Sequence, residues 1–120
     1  MILKHQKQQT LLQVARLEGI GLHSGKPVTL EISPASENTG IIFQRSDSLN
    51  AMPVKAHVLN VSGTDLCTTI GSGASSVSTI EHLMAALVGL GIDNAWIRVS
   101  GPEIPILDGS AQPFVEAILS

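Results

Sequence analysis

Residues Val28 to Ser33 alternate cleanly, with Val28, Leu30 and Ile32 on one side and Thr29, Glu31 and Ser33 on the other. A period of two marks a strand with one buried face. Asn38-Thr39-Gly40 is a turn signal, and Ile41-Ile42-Phe43 opens a second strand, so the pair predicts a hairpin. Val54, Ala56 and Val58 alternate with Lys55 and His57 in a further strand. Leu66 to Ile70 is a short β-rich run closed by a flexible loop, Gly71 to Ser76. Upstream, Thr10 to Arg16 is expected to be extended and to lead into Gly19-Ile20-Gly21-Leu22-His23-Ser24-Gly25, whose three glycines permit tight turns.

The period then changes. Ile80, Leu83, Met84, Leu87 and Leu90 follow the spacing of an amphipathic helix, and Gly91 stands where its stop is wanted. Ile97 and Val99 alternate with Trp96 and Arg98 in another strand. Gly101-Pro102-Glu103-Ile104-Pro105 is expected to be extended and irregular, because each proline lacks a ladder donor. A second helix is placed from near Asp108 to Ser110 onward, with Phe114, Ala117, Ile118 and Leu119 on its apolar side. It carries no stop signal before Ser120, which leads us to expect the front part of a longer protein. Strands and helices in this order predict an α+β fold: a two-layer sandwich of a mainly antiparallel or mixed sheet with two helices packed on one face.

The 120 residues form a single expected domain, 1–120, with one core. Hydrophobic residues make up 43% and charged residues 14%, which excludes a disordered chain. Phe43, Trp96 and Phe114 are the aromatics, so the core rests on Ile, Leu and Val, and no row of rings is available to stack nucleic-acid bases. The net charge is −3 with scattered Lys and Arg, which argues against a nucleic-acid partner. No apolar run approaches the roughly 18 residues of a membrane span. The first residues, Met1 to Lys7, lack a secretory core, and the lone Cys67 cannot form an internal disulfide. Together these predict a cytoplasmic protein.

The candidate chemistry centres on Ser78-Thr79-Ile80-Glu81-His82. Ser78 and Glu81 fit a capping box at the start of the first helix. The same Glu81, beside a metal-activated water, would be a general base. His82 has small neighbours at helical spacing, Thr79, Ala85, Ala86 and Gly89, which suits a metal ligand with open space before it and equally a part-exposed surface histidine. A catalytic zinc needs about three protein ligands. Of the other histidines, His5 is near the terminus, His57 is on the polar side of its strand, and only His23 is a plausible pocket residue. Cys67 has no visible catalytic partners and reads as a buried strand thiol.

Five blocks occur in order: Gly19-Ile20-Gly21-Leu22-His23-Ser24-Gly25, Asn38-Thr39-Gly40-Ile41, Ser78-Thr79-Ile80-Glu81-His82-Leu83, Gly89-Leu90-Gly91-Ile92-Asp93-Asn94 and Pro102-Glu103-Ile104-Pro105-Ile106-Leu107-Asp108-Gly109-Ser110. From about Gln9 to Ala117 the chain closely resembles the N-terminal half of the UDP-3-O-acyl-N-acetylglucosamine deacetylase family. That resemblance implies a zinc-dependent hydrolase of lipid A biosynthesis in the Gram-negative cytoplasm, built from two similar α+β domains with the active site at their seam. It implies that His82 is a Zn2+ ligand, that Glu81 is the general base, and that Leu66 and Cys67 belong to a strand segment lining the substrate site. It leaves the role of His23 open. The family's C-terminal domain, which supplies a second His, an Asp, a proton-donating His and an oxyanion-holding hydroxyl, is missing from these residues. The chain alone is therefore expected neither to hold zinc tightly nor to turn over substrate. The alternative is a non-catalytic binding or assembly module on the same fold, whose uncovered face would invite self-association. RNA binding is disfavoured by the acidic balance.

Overall fold

In the computed structural model, which describes residues 7–120, the alternating run becomes β2 (Pro27–Pro34) and pairs antiparallel with β1 (Ala15–Ile20) in the register Leu17↔Leu30. His5 and the start of the stretch searched for a leader lie outside the described residues. Three more strands, β3 (Ile41–Arg45), β4 (Val54–Lys55) and β8 (Ala95–Val99), complete a five-stranded sheet in the order β1-β2-β8-β3-β4. Only the β3–β8 pair is parallel.

The expected β2–β3 hairpin does not form, because β8 enters between the two strands. Its register sets Val99 opposite Leu30 and sets Ile97 between Ile32 and Phe43, so one stripe of fully buried side chains crosses three strands. Asn94, just before β8, fixes the join: its Oδ1 accepts the Gly40 N–H at 2.8 Å, and the Ala95 N–H reaches the Gly40 carbonyl at 3.0 Å. Trp96 and Arg98 face the other way, the guanidinium 5.8 Å from the indole centroid.

Onto the apolar face pack both helices, α1 (Glu81–Gly89) through Leu83, Ala86 and Leu87, and α2 (Gln112–Leu119) through Phe114. This is the α+β sandwich. Gly91 stops α1 as its position predicts. At φ +71° it donates to the Val88 carbonyl while Ile92 donates to that of Leu87, the paired bonds of a left-handed helix end. The second helix begins later than the sequence indicates, since Asp108 Oδ1 binds the Ser110 amide and hydroxyl and ties 108–110 into a turn. Leu119, placed on its apolar side, is 69% exposed.

A second sheet was not evident in the pattern: β5 (Val61–Gly63), β6 (Thr69–Ile70) and β7 (Val77–Ser78) form a small antiparallel meander. The run at Val54–Val58 shortens to β4, and His57 instead caps a 3-10 turn at Val58–Asn60 by accepting the Leu59 amide on Nδ1. Of the stretch 10–16, Thr10 makes one parallel bridge to Asn94, the chain bends at Leu12 and Gln13, and the strand starts only at Ala15. No helix among the described residues is long and apolar enough to cross a membrane.

Candidate functional site

Three connections meet at one end of the sandwich. The first is the β1–β2 turn, closed by the Gly21 amide on the Lys26 carbonyl and the Gly25 amide on the Gly21 carbonyl. The second is the β5–β6 loop, and the third is the junction of β7 with α1. Between them opens a cavity of about 420 Å³, lined by His23, Asp65, Leu66, Cys67, Ser78 and Glu103 among others.

Leu66 and Cys67 thus lie together on the cavity with His23. They are not in a strand: both sit in the bend that joins β5 to β6, and β6 begins only at Thr69. Leu66 adopts φ +64° and is 92% exposed, and Cys67 is half-buried, so the buried strand thiol expected there is absent. The chain reverses tightly at this point and the local β propensity is overridden.

Glu81 and His82 follow three and four residues after the cavity residue Ser78, and do not themselves line it. The capping box is not formed. Ser78 belongs to β7, where its hydroxyl meets Thr69 Oγ1 at 2.7 Å and its backbone is bridged to 102–104. Ile80 takes the cap position with no side-chain bond. Glu81 Oε1 is buried with no hydrogen-bond partner among the described residues, an exposed cost for a carboxylate oxygen that normally finds a donor. Its charge is favoured at the first turn of the helix. His82 is half-buried, with Ala85 and Gly89 open to solvent on its side of α1.

What sets this junction is Thr79, at φ +60° and almost fully buried. A β-branched residue in the left-handed region is strained by about 1–3 kcal/mol and persists only when its surroundings over-determine it. Here its amide donates to the Thr68 carbonyl at 2.9 Å, and its hydroxyl donates to Glu103 Oε2 at 3.0 Å.

Glu103 is the residue that motif reasoning passed over. It is 3% exposed, yet every lone-pair direction is occupied: Oε1 accepts the amides of His23 (2.9 Å) and Ser24 (2.7 Å), and Oε2 accepts Thr79 and faces His23 Nδ1 at 3.2 Å. Burial works to raise its pKa, but the Ser24 amide, the His23 ring and the Thr79 hydroxyl together hold it below the usual carboxylate range. A signal was present in the chain, since Glu103 is the lone charge in the run 102–107 of Pro, Ile and Leu.

Among the described residues no group of three His, Cys, Asp or Glu comes together to hold a metal ion. The His82 imidazole and the Glu81 oxygen without a hydrogen-bond partner among the described residues stand on adjacent positions of α1, fewer protein ligands than the roughly three a catalytic zinc takes.

A model of the UDP-3-O-acyl N-acetylglycosamine deacetylase family matches residues 8–120. A UDP-3-O-acyl-N-acetylglucosamine deacetylase of Citrifermentans bemidjiense is 60% identical over 111 residues, covering 92% of this chain and 36% of that protein. One of Geobacter sp. (strain M21) is also 60% identical over the same shares, and one of Brucella melitensis biotype 2 is 47% identical over 92% of this chain and 39% of its own length. The chain spans a little over a third of the length of these relatives.

Proposed function

The chain belongs to the UDP-3-O-acyl N-acetylglycosamine deacetylase family, and on that premise we propose that it is the N-terminal domain of a zinc-dependent amidohydrolase. The complete enzyme removes the acetyl group from UDP-3-O-acyl-N-acetylglucosamine in cytoplasmic lipid A biosynthesis. Residues 1–120 act there as one of two domains, and the fragment alone is inactive because its ligand set is incomplete.

The observation that carries the proposal is the Glu81 carboxylate, held at the first turn of α1 with a buried oxygen that no donor among the described residues occupies. An unpaired carboxylate beside a histidine is suited to take a proton. His82 holds one position of the zinc, and a C-terminal domain supplies the rest. When bound, the ion supplies Lewis acidity toward water and the amide oxygen. Glu81 removes a proton from the attacking water, and the leaving nitrogen takes its proton from a histidine of the C-terminal domain, so that acetate and a free amine result. Leu66 and Cys67, on the cavity beside this junction, contact substrate.

The test is made on the complete enzyme. Glu81→Gln should abolish nearly all acetate release while zinc content stays near one per chain, and His82→Ala should lose zinc. Release close to wild type from Glu81→Gln would reject the base assignment, and unchanged zinc in His82→Ala would reject the ligand. A complete protein without acetate release would favour the binding-module alternative.

A further inference from the structure

The cavity, the strained junction and the glycine turn share one group that the proposed chemistry does not use. Glu103 touches all three: the turn through the His23 and Ser24 amides, the cavity through the His23 ring, and the α1 junction through Thr79. The geometry points to Glu103 as a positioning residue that fixes the His23 ring with its proton on Nδ1 and presents a bare Nε2 to the cavity, while pinning Thr79 in the conformation that launches α1.

The inference follows from donor and acceptor counts. An ionised carboxylate has no proton to give, so every partner must donate. Two backbone amides and a threonine hydroxyl do so. The fourth partner is His23 Nδ1, at 3.2 Å from Oε2, and a neutral imidazole can satisfy that contact only with its hydrogen on Nδ1. The ring is 40% exposed and lines the cavity, whereas the Glu103 side chain is 4% exposed. The opposite nitrogen is therefore left as an acceptor for a hydroxyl or amide of whatever enters. Gly21 is what lets the carboxylate come this close, since a side chain there would collide with Oε1.

The link to catalysis rests on the deacetylase reading, but the ring state does not, and the two are measured separately. In the ¹⁵N-labelled chain at alkaline pH, the ring nitrogens of His23 should show Nδ1 protonated and Nε2 bare. A proton on Nε2 in the wild-type chain would overturn the assignment, and that measurement needs no variant to fold. Glu103→Gln keeps the shape but can turn an NH2 toward Nδ1, so the ring proton should move to Nε2 while amide signals far from the turn stay in place. A ring that does not switch in a folded Glu103→Gln chain would likewise overturn it. In the complete enzyme the same substitution should lower kcat with zinc content unchanged. Wild-type kcat with a switched ring would sever Glu103 from the site, whereas a wild-type enzyme that releases no acetate would sink the deacetylase reading and leave the ring result standing.

Discussion

Three glycines on this chain should respond to alanine in three different ways. At Gly21 a Cβ would overlap Glu103 Oε1 and stand 2.5 Å from Ser24 Oγ and 2.7 Å from Glu103 Cγ. The backbone there needs no special φ, so the effect is steric alone. Glu103 cannot simply retreat, because four hydrogen bonds hold it. Overpacking costs about 1–3 kcal/mol, and loosening one or two bonds to a buried charge adds about 1.5–3 kcal/mol. Gly21→Ala should therefore cost about 2.5–6 kcal/mol, a large part of the roughly 5–15 kcal/mol of a typical domain. At Gly25 nothing lies within 4 Å, but φ is +68°, so alanine should cost about 1–2 kcal/mol from backbone strain alone. Gly89 closes α1 with open space around it and no positive φ, and alanine there should stabilise by about 0.5–1 kcal/mol. Urea unfolding of the three variants, with midpoint and slope fitted together, reads all of these. A Gly21→Ala chain as stable as wild type, or one harmed less than Gly25→Ala, would refute the packed-carboxylate account of the turn.

Leu83→Ala removes a fully buried side chain between α1 and the sheet, and should lower stability by about 2–5 kcal/mol in the same assay with an unchanged slope. Asn94→Ala deprives the Gly40 amide of its acceptor and should cost about 1–3 kcal/mol, with amide exchange at Gly40 accelerating more than at Leu30. Glu103 has a folded pKa below its unfolded one, although burial alone would raise it, because the Ser24, His23 and Thr79 donors outweigh burial. Its contribution is thus full above the unfolded carboxylate range and is lost as pH falls through the folded value, so wild-type stability should drop with acidification and Glu103→Gln should drop less.

The elements whose signal is local were legible in the chain. The alternation of 28–33, the apolar stripe of α1 and the glycine after it each depend on neighbours within a turn or a strand, and each formed. Strand order was not legible, since β8 reaches its place between β2 and β3 across more than fifty residues and is chosen by buried surface and by Asn94. The capping box at Ser78 and Glu81 has the right spacing, yet the Ser78 backbone is already committed to the 102–104 segment and Thr79 turns the chain before the helix starts. Leu66 and Cys67 carry strand propensity and were drawn into a bend by the tight β5–β6 connection.

Strain is where the site departs most from what local rules prescribe. Among the described residues four non-glycine positions hold positive φ: Asn38, Leu66, Thr79 and Leu107. Asn38 is the residue type that accepts this conformation at low cost. The other three are a β-branched and two bulky side chains, and each belongs to the neighbourhood of the candidate site. Leu66 lines the cavity, Thr79 immediately precedes Ile80 and Glu81, and Leu107 packs where a Gly19 side chain would stand, one residue before Asp108. The Ser110 hydroxyl and amide hold the Asp108 carboxyl below its ordinary range. Each strained residue costs about 1–3 kcal/mol, so a chain selected for stability alone would have glycine or asparagine at 66, 79 and 107. The side chains that stand there have contacts glycine would lack: the Thr79 hydroxyl donates to Glu103, Leu66 lines the cavity and Leu107 packs toward Gly19.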